Sequence, residues 1–223
     1  MRNFVNTESL KLLCDPKTHS DLELKDNCLA SSDGTVYQFK KGIPVFIKPE
    51  EVTGLNKKYQ KFYDWVSIVY KPINFIYEKF VYGDLKAKRL ELLGSLNIKP
   101  GDKVLETSIG TGINITLFDK AAKYWGIDIS IGMLKACKKE NKKWGYDLDL
   151  FQANAEELPF KENSFDVVFH VGGINFFNNI QKAIDEMIRV AKPGAQILIC
   201  DETEKHVDNN YRKMPFGKKM ALD

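Results

Sequence analysis

The chain has 223 residues, 43% of them hydrophobic and 28% charged, with a formal net charge of +3 at pH 7. That is enough for one sizeable domain with a packed core, or for a domain and a small appendage, and it argues against a disordered chain. Thirty-three basic against 30 acidic residues do not mark a nucleic-acid binder, though they leave one open. No apolar run approaches the ~20 residues a membrane span needs.

The first residues, MRNFVNTESLKLLCDPKTH, spread charged and polar side chains where a secretory signal would be apolar. A cytoplasmic protein is expected, with Cys14, Cys28, Cys137 and Cys200 as reduced thiols. Residues 1–50 read as a small β-rich module: TVYQF follows Ser-Ser-Asp-Gly, and IPVFI follows Lys-Lys-Gly. Residues 51–97 read as helical and aromatic-rich. One helix covers KKYQKFYDWVSIVYKPINFIYEKF, which Pro72 should break or kink. A second, DLKAKRLELLGSL, puts Leu85, Leu90, Leu93 and Leu96 near one face.

After the Lys99-Pro100-Gly101-Asp102 turn, residues 98–223 alternate strand and helix. KVLET is a strand and NITLFDKAA a helix. KYWGIDI is a strand and IGMLKACKKENKK a helix. DLDLFQAN and SFDVVFHV are strands, IQKAIDEMIRVAK is a helix stopped by Pro193-Gly194, and AQILICDE is a strand. This alternation predicts an α/β fold, a doubly wound, mostly parallel sheet with helices on both faces.

Ligands of such sheets lie at the carboxyl ends of the strands. The loop Ser108-Ile109-Gly110-Thr111-Gly112 follows the first of these strands directly. Its glycines allow close backbone approach and positive φ. It is not a dinucleotide fingerprint, because the third glycine would fall at Ile115. It is not a Walker loop either, since no Lys-Ser/Thr pair follows. Asp128 ends the second strand, where a carboxylate can accept from two ribose hydroxyls. Asn154-Ala155 ends the third, where an amide oxygen and a backbone N–H can read an adenine edge. Glu106 places negative charge at the end of the first strand.

Five ordered segments, VLETSIGTG, WGIDISIGML, FQANAEELPF, SFDVVFHVGG and EMIRVAKPGAQILI, resemble the class I S-adenosylmethionine-dependent methyltransferases over roughly residues 59–204. The likeness is nearest to the methyltransferase type 11 branch typified by ubiquinone/menaquinone biosynthesis. Ser108 replaces the family's first loop glycine, and Asn154 stands for a common Asp. The resemblance implies a Rossmann-like fold with S-adenosyl-L-methionine as cofactor. Glu106, Ser108, Gly110 and Gly112 would surround its methionine moiety, Asp128 would hold the ribose, Ile129 and Met133 would pack on adenine, and Asn154 and Ala155 would bind its edge. His170 would line the junction between cofactor and acceptor; His170 and Tyr63 are the candidate catalytic groups wherever the acceptor must lose a proton.

Plainer readings stand beside these. Asn154 can cap a turn, Ser130 rather than Asp128 can cap the next helix, and His170 can be structural. Lys135, Lys138, Lys139, Lys142 and Lys143 read as a solvated helix face before an RNA patch. The aromatic helix around Phe62, Tyr63, Trp65, Tyr70 and Phe75 is core, or a lid over a hydrophobic acceptor. At the N-terminus, LLCDPKTHSDL through DGTVYQFKKGIPVFI resembles the zinc-ribbon-like domain of tRNA-methyltransferase activator subunits. With only one cysteine at each knuckle, no bound metal is expected.

The same family has two further strands after AQILICDE. The remaining stretch, TEKHVDNNYRKMPFGKKMALD, lacks strand pattern. The fifth strand is then an exposed edge for a second copy, a partner chain or the tail itself to cover. The sequence thus points to methyl transfer onto a small, hydrophobic acceptor. Its alternatives are a non-catalytic, cofactor-binding or partner subunit, and an RNA methyltransferase.

Overall fold

The computed structural model describes residues 5–77 and 85–201, with side chains outside 68–77 and 85–86. The chain opens with α1 (Thr7–Leu12), capped by Asn6, whose side chain accepts the Ser9 N–H. Three short strands follow, β1 (Leu22–Lys25), β2 (Cys28–Ser31) and β3 (Val36–Gln38), in an antiparallel sheet of order β1-β2-β3. The β1–β2 hairpin closes over Asp26 and Asn27, both at positive φ (43° and 66°), as a two-residue turn between right-twisted strands requires. The sequence reading found β3 and missed this hairpin.

Helix α2 (Gly54–Tyr77) runs through Pro72, so of the break or kink predicted there the break does not occur. A proline in a helix removes one hydrogen bond and leaves the others to carry the helix on. Helix α3 (Leu85–Leu93) ends before Gly94. Leu93 is buried, whereas Leu90, one turn before it, is 44% exposed.

The main sheet has five parallel strands in the order β6-β5-β4-β7-β8: β4 (Lys103–Thr107), β5 (Lys123–Asp128), β6 (Leu148–Gln152), β7 (Phe165–Val171) and β8 (Ala191–Cys200). Helix α4 (Ile131–Trp144) follows β5, and α5 (Ile180–Val190) follows β7. The predicted helix NITLFDKAA is only a 3-10 turn, Asn114–Leu117. Phe118 leaves it in an extended conformation, and the Asp119 carboxylate accepts the Ala121 N–H to turn the chain into β5. Helix α5 stops at Val190, short of the predicted Lys192. The next strand already starts at Ala191, which pairs with Phe165, and an irregular stretch containing Pro193 and Gly194 (φ 81°) precedes the Val167–Gln196 pair.

Alternation along the strands splits the core in two. Leu105, Trp125, Ile127, Phe151 and Val168 face one side, and Val104, Tyr124, Leu150, Val167 and Phe169 the other. The first side is covered by α5 (Ala183, Met187, Val190) and by the N-terminal segments through Leu13, Leu22, Leu29, Tyr37 and Phe46. The second is covered by α4 and α3, through Ile131, Leu134, Cys137 and Leu93. The N-terminal segments therefore share a core with the main sheet. IPVFI is not a full strand. It joins the outer edge of β6, with Phe46 N–H donating to Gln152 O (2.8 Å) and Gln152 N–H to Pro44 O (2.9 Å). At the other end of the sheet, β8 pairs with β7 alone among the described residues. The segment that follows Asp201 lies outside them.

Among the described residues, no helix is long and apolar enough to cross a membrane. Nor do three His, Cys, Asp or Glu side chains converge to hold a metal there. Cys14 is buried, its thiol pushed up to about 11 by desolvation, and the Cys28 thiol donates to Lys25 O.

Helix α2 is pinned at its start. Asn178, just before α5, accepts the Leu55 N–H (2.8 Å) and donates to Thr53 O (3.1 Å), and its own N–H donates to Glu156, which also accepts from the Asn56 side chain (2.8 Å). A side chain that caps a helix start contributes about 1 kcal/mol. Asn178→Ala is expected to lower stability by about that much and to speed amide hydrogen exchange selectively in the first turns of α2.

Candidate active site

The carboxyl ends of β4, β5, β6, β7 and β8 meet under α2 around a cavity of about 360 Å³. Ser108, Gly110, Asp128, Ile129, Met133, Asn154, Ala155 and Tyr63 line it. The three remaining candidates, Glu106, Gly112 and His170, do not reach its wall.

The glycine loop is shaped by its backbone. Gly110 sits at φ 56°, and a Cβ there would meet nothing within 4 Å, so the main chain borders open space. Gly112 (φ 77°) serves packing: a Cβ would collide with the Cys137 sulfur on α4. Ser108 takes the same left-handed region at φ 58°. A non-glycine residue there carries strain, and such strain gathers at binding sites.

Asp128 ties the loop to the next strand. One carboxylate oxygen accepts the Gly110 N–H and the other the Ser130 N–H, each at 2.8 Å. Burial pushes its carboxyl up to about 6 against those two hydrogen bonds, and the nearby Asp64 adds to the rise. Ser130 is the cap of α4, accepting the Met133 N–H. Asp64 reaches across from α2 to accept from the Ser130 hydroxyl (2.6 Å) and the Gly132 N–H (2.8 Å). With Gln60 donating to Ile129 O (3.0 Å) and Tyr59 stacked on Phe176 at 3.9 Å, this holds α2 over the strand ends.

Glu106 lies wholly inside, and burial pushes its carboxyl up to about 8. One oxygen accepts from Asn114 (2.7 Å), and the other is a buried atom with no hydrogen-bond partner. Asn114 in turn accepts from the Arg89 guanidinium, and both Asn114 and Arg89 line the cavity. Asn154 does cap its turn, accepting the Glu156 N–H (3.1 Å), and borders the cavity as well. His170 is fully buried. Its Nδ1 stands 3.1 Å from the Thr107 hydroxyl, its ring lies 5.4 Å from that of Phe177 on the cavity wall, and burial lowers its pKa to about 4.

Sequence reasoning did not reach Asn56, Tyr59, Arg89, Asn114, Phe176 or Asp201, all of which line the cavity. Asp201 had a signal, since it is the acid at the carboxyl end of a parallel strand, as Asp128 is. It accepts the N–H groups of Gly173, Ile174 and Asn175 and so orders the loop after β7. For Arg89 there was none, because only the fold brings α3 to the loop after β4.

Residues 105–199 match the family model described as a methyltransferase domain. The stretch is a class I methyltransferase domain. S-adenosyl-L-methionine is the cofactor of that class. The demethylmenaquinone methyltransferase of Paenarthrobacter aurescens is 30% identical over 155 residues, covering 69% of this chain and 56% of that protein. The ubiquinone/menaquinone biosynthesis C-methyltransferase of Burkholderia mallei is 34% identical over 113 residues, 49% of this chain and 46% of that protein. The chain thus spans about half the length of the curated relatives it matches. A solved protein from Methanococcus maripaludis, described as a candidate S-adenosyl-L-methionine-dependent methyltransferase, shares the fold. Its TM-score is 0.52 at 17% identity, over 75% of this chain and 76% of its own. The methyltransferase domain therefore contains the glycine loop, Asp128, Asn154 and His170. Tyr63 with the rest of the α2 cover, and Arg89 on α3, lie before the stretch the family model matches.

Proposed function

We propose that the chain binds S-adenosyl-L-methionine in the cavity under α2 and passes its methyl group to a small, apolar acceptor, in the cytoplasm. The observation that carries this is the Asp128 carboxylate at the edge of the cavity, bridging the glycine loop and the start of α4. The residues present suit the cofactor. Asp128 offers acceptor oxygens for ribose hydroxyls, Ile129 and Met133 give an apolar wall for a planar base, and Asn154 and Ala155 give a polar edge beside it. Arg89, on the cavity wall, offers a partner for a carboxylate. When bound, S-adenosyl-L-methionine supplies a methyl group carried on a positively charged sulfur.

The chain's own work is then to position the acceptor and exclude water. Tyr59, Tyr63, Phe176 and Phe177 form an aromatic wall suited to a flat apolar molecule. Tyr63 is the polar group on that wall that we assign to an acceptor hydroxyl. His170, neutral near pH 7, is buried behind Phe177 and backs that wall without reaching the cavity. The naming of relatives as quinone-biosynthesis methyltransferases supports an acceptor of this class.

Calorimetric titration with S-adenosyl-L-methionine and S-adenosylhomocysteine is the test, followed by assay of S-adenosylhomocysteine release with a reduced demethylnaphthoquinone. Binding of both cofactor forms, with release that depends on the acceptor, is expected. A folded chain that binds neither form would overturn the reading.

A further inference from the structure

The outer face of α2 carries chemistry that the cavity does not use. On its inner side, Asn56, Tyr59 and Tyr63 meet the strand ends and the cavity, while Gln60 and Asp64 meet the start of α4. The helical period turns Lys58, Lys61 and Trp65 away from these, with Lys57 at the border of the two sides, and all four are exposed, Trp65 by 50%. Asp64 is the only acid between Gly54 and Ser67, and it is engaged inward with Ser130 and Gly132. The outer arc is therefore basic and carries a half-exposed indole. Helix α4, packed against α2, adds exposed Lys135, Lys139 and Lys142.

We propose that this face docks the protein on an anionic lipid bilayer surface. Lysines at such a surface are drawn to the negative headgroups, their alkyl stems lie along the interface, and tryptophan settles at headgroup depth. The same helix lines the cavity with its other side, so docking brings the cavity beside the layer in which an apolar small molecule dissolves. The surface itself does not require methyl transfer: it stands or falls on charge and on Trp65.

The experiment is flotation of the full chain with phosphatidylcholine vesicles, with and without phosphatidylglycerol, at low and high salt. Alongside it are the Lys57→Glu/Lys58→Glu/Lys61→Glu variant, its milder Gln counterpart and Trp65→Ala. The wild type should bind only the vesicles containing phosphatidylglycerol, less so as salt rises, with a blue shift of tryptophan emission. Partitioning should weaken by on the order of a hundredfold with the three Gln changes, which remove three charges, and by a larger factor with Glu, which reverses them. Trp65→Ala should abolish the blue shift, because Trp125 is buried in the core and Trp144 packs, partly buried, against the other side of it. Titration with S-adenosylhomocysteine runs in parallel. Unchanged cofactor binding in the variants keeps a lost docking face separate from a lost fold, and vesicle binding without cofactor binding would sink the proposed function alone. Absence of vesicle binding by the wild type, or binding indifferent to the charge reversal, overturns the docking. So does binding to an RNA homopolymer, sensitive to the same variants, in place of binding to vesicles.

Discussion

Asp128→Ala is expected to weaken S-adenosylhomocysteine binding by about a hundredfold or more, read by calorimetry. A hydrogen bond to a charged group contributes about 1.5–3 kcal/mol, and the proposed site gives this carboxylate two ribose hydroxyls. The same change removes the acceptor that ties Gly110 to Ser130, so the glycine loop loses its anchor as well. Asp128→Asn keeps one acceptor oxygen and the shape, and should fall between the two. The carboxyl is raised to about 6 by burial, so wild-type affinity should also fall as pH drops below that value, where the protonated group accepts poorly. Full affinity in the alanine variant would remove Asp128 from the site.

The second large effect is on stability. Glu106 is raised from the ordinary carboxylate range to about 8 by burial. The folded chain therefore keeps its proton while the unfolded chain has released it. Stability from this group is present below pH ~4.5 and is lost as pH climbs towards 8, the reverse of a salt-bridged acid. Glu106→Gln removes the titration. It should match the wild type near pH 4 and exceed it at pH 9 by on the order of a few kcal/mol in urea denaturation. A variant less stable than the wild type at pH 9 would mean that Glu106 is ionised and well paired.

Much of the sheet was legible because each strand from Lys103 onward is a short apolar run with a turn at its end. Parallel strands buried on both faces are written that way. The glycine loop and Asp128 were legible for a related reason, being adjacent in sequence to strand ends. What could not be read was set by contacts between distant segments. NITLFDKAA has a helical composition, but Asp119 turns the chain after one 3-10 turn. Pro72 looks like a break, yet the helix is continuous through it. Arg89 and Asn178 have no local pattern at all. Arg89 matters because Asn114 lies across from it, and Asn178 because it faces the start of α2, 123 positions earlier.

The place of Pro44–Phe46 on the flank of β6 bears on how the chain acquires its structure. These residues, and Ser9 with its hydrogen bond to Trp125 116 positions away, have their partners deep in the second half of the sequence. Pairings of that span are costly to close and come late. During synthesis the first fifty residues emerge long before the strand they lie beside, and must wait without it. Refolding should accordingly show the parallel sheet protected first and the N-terminal segments last, and until they arrive β6 presents unpaired backbone to any neighbouring chain.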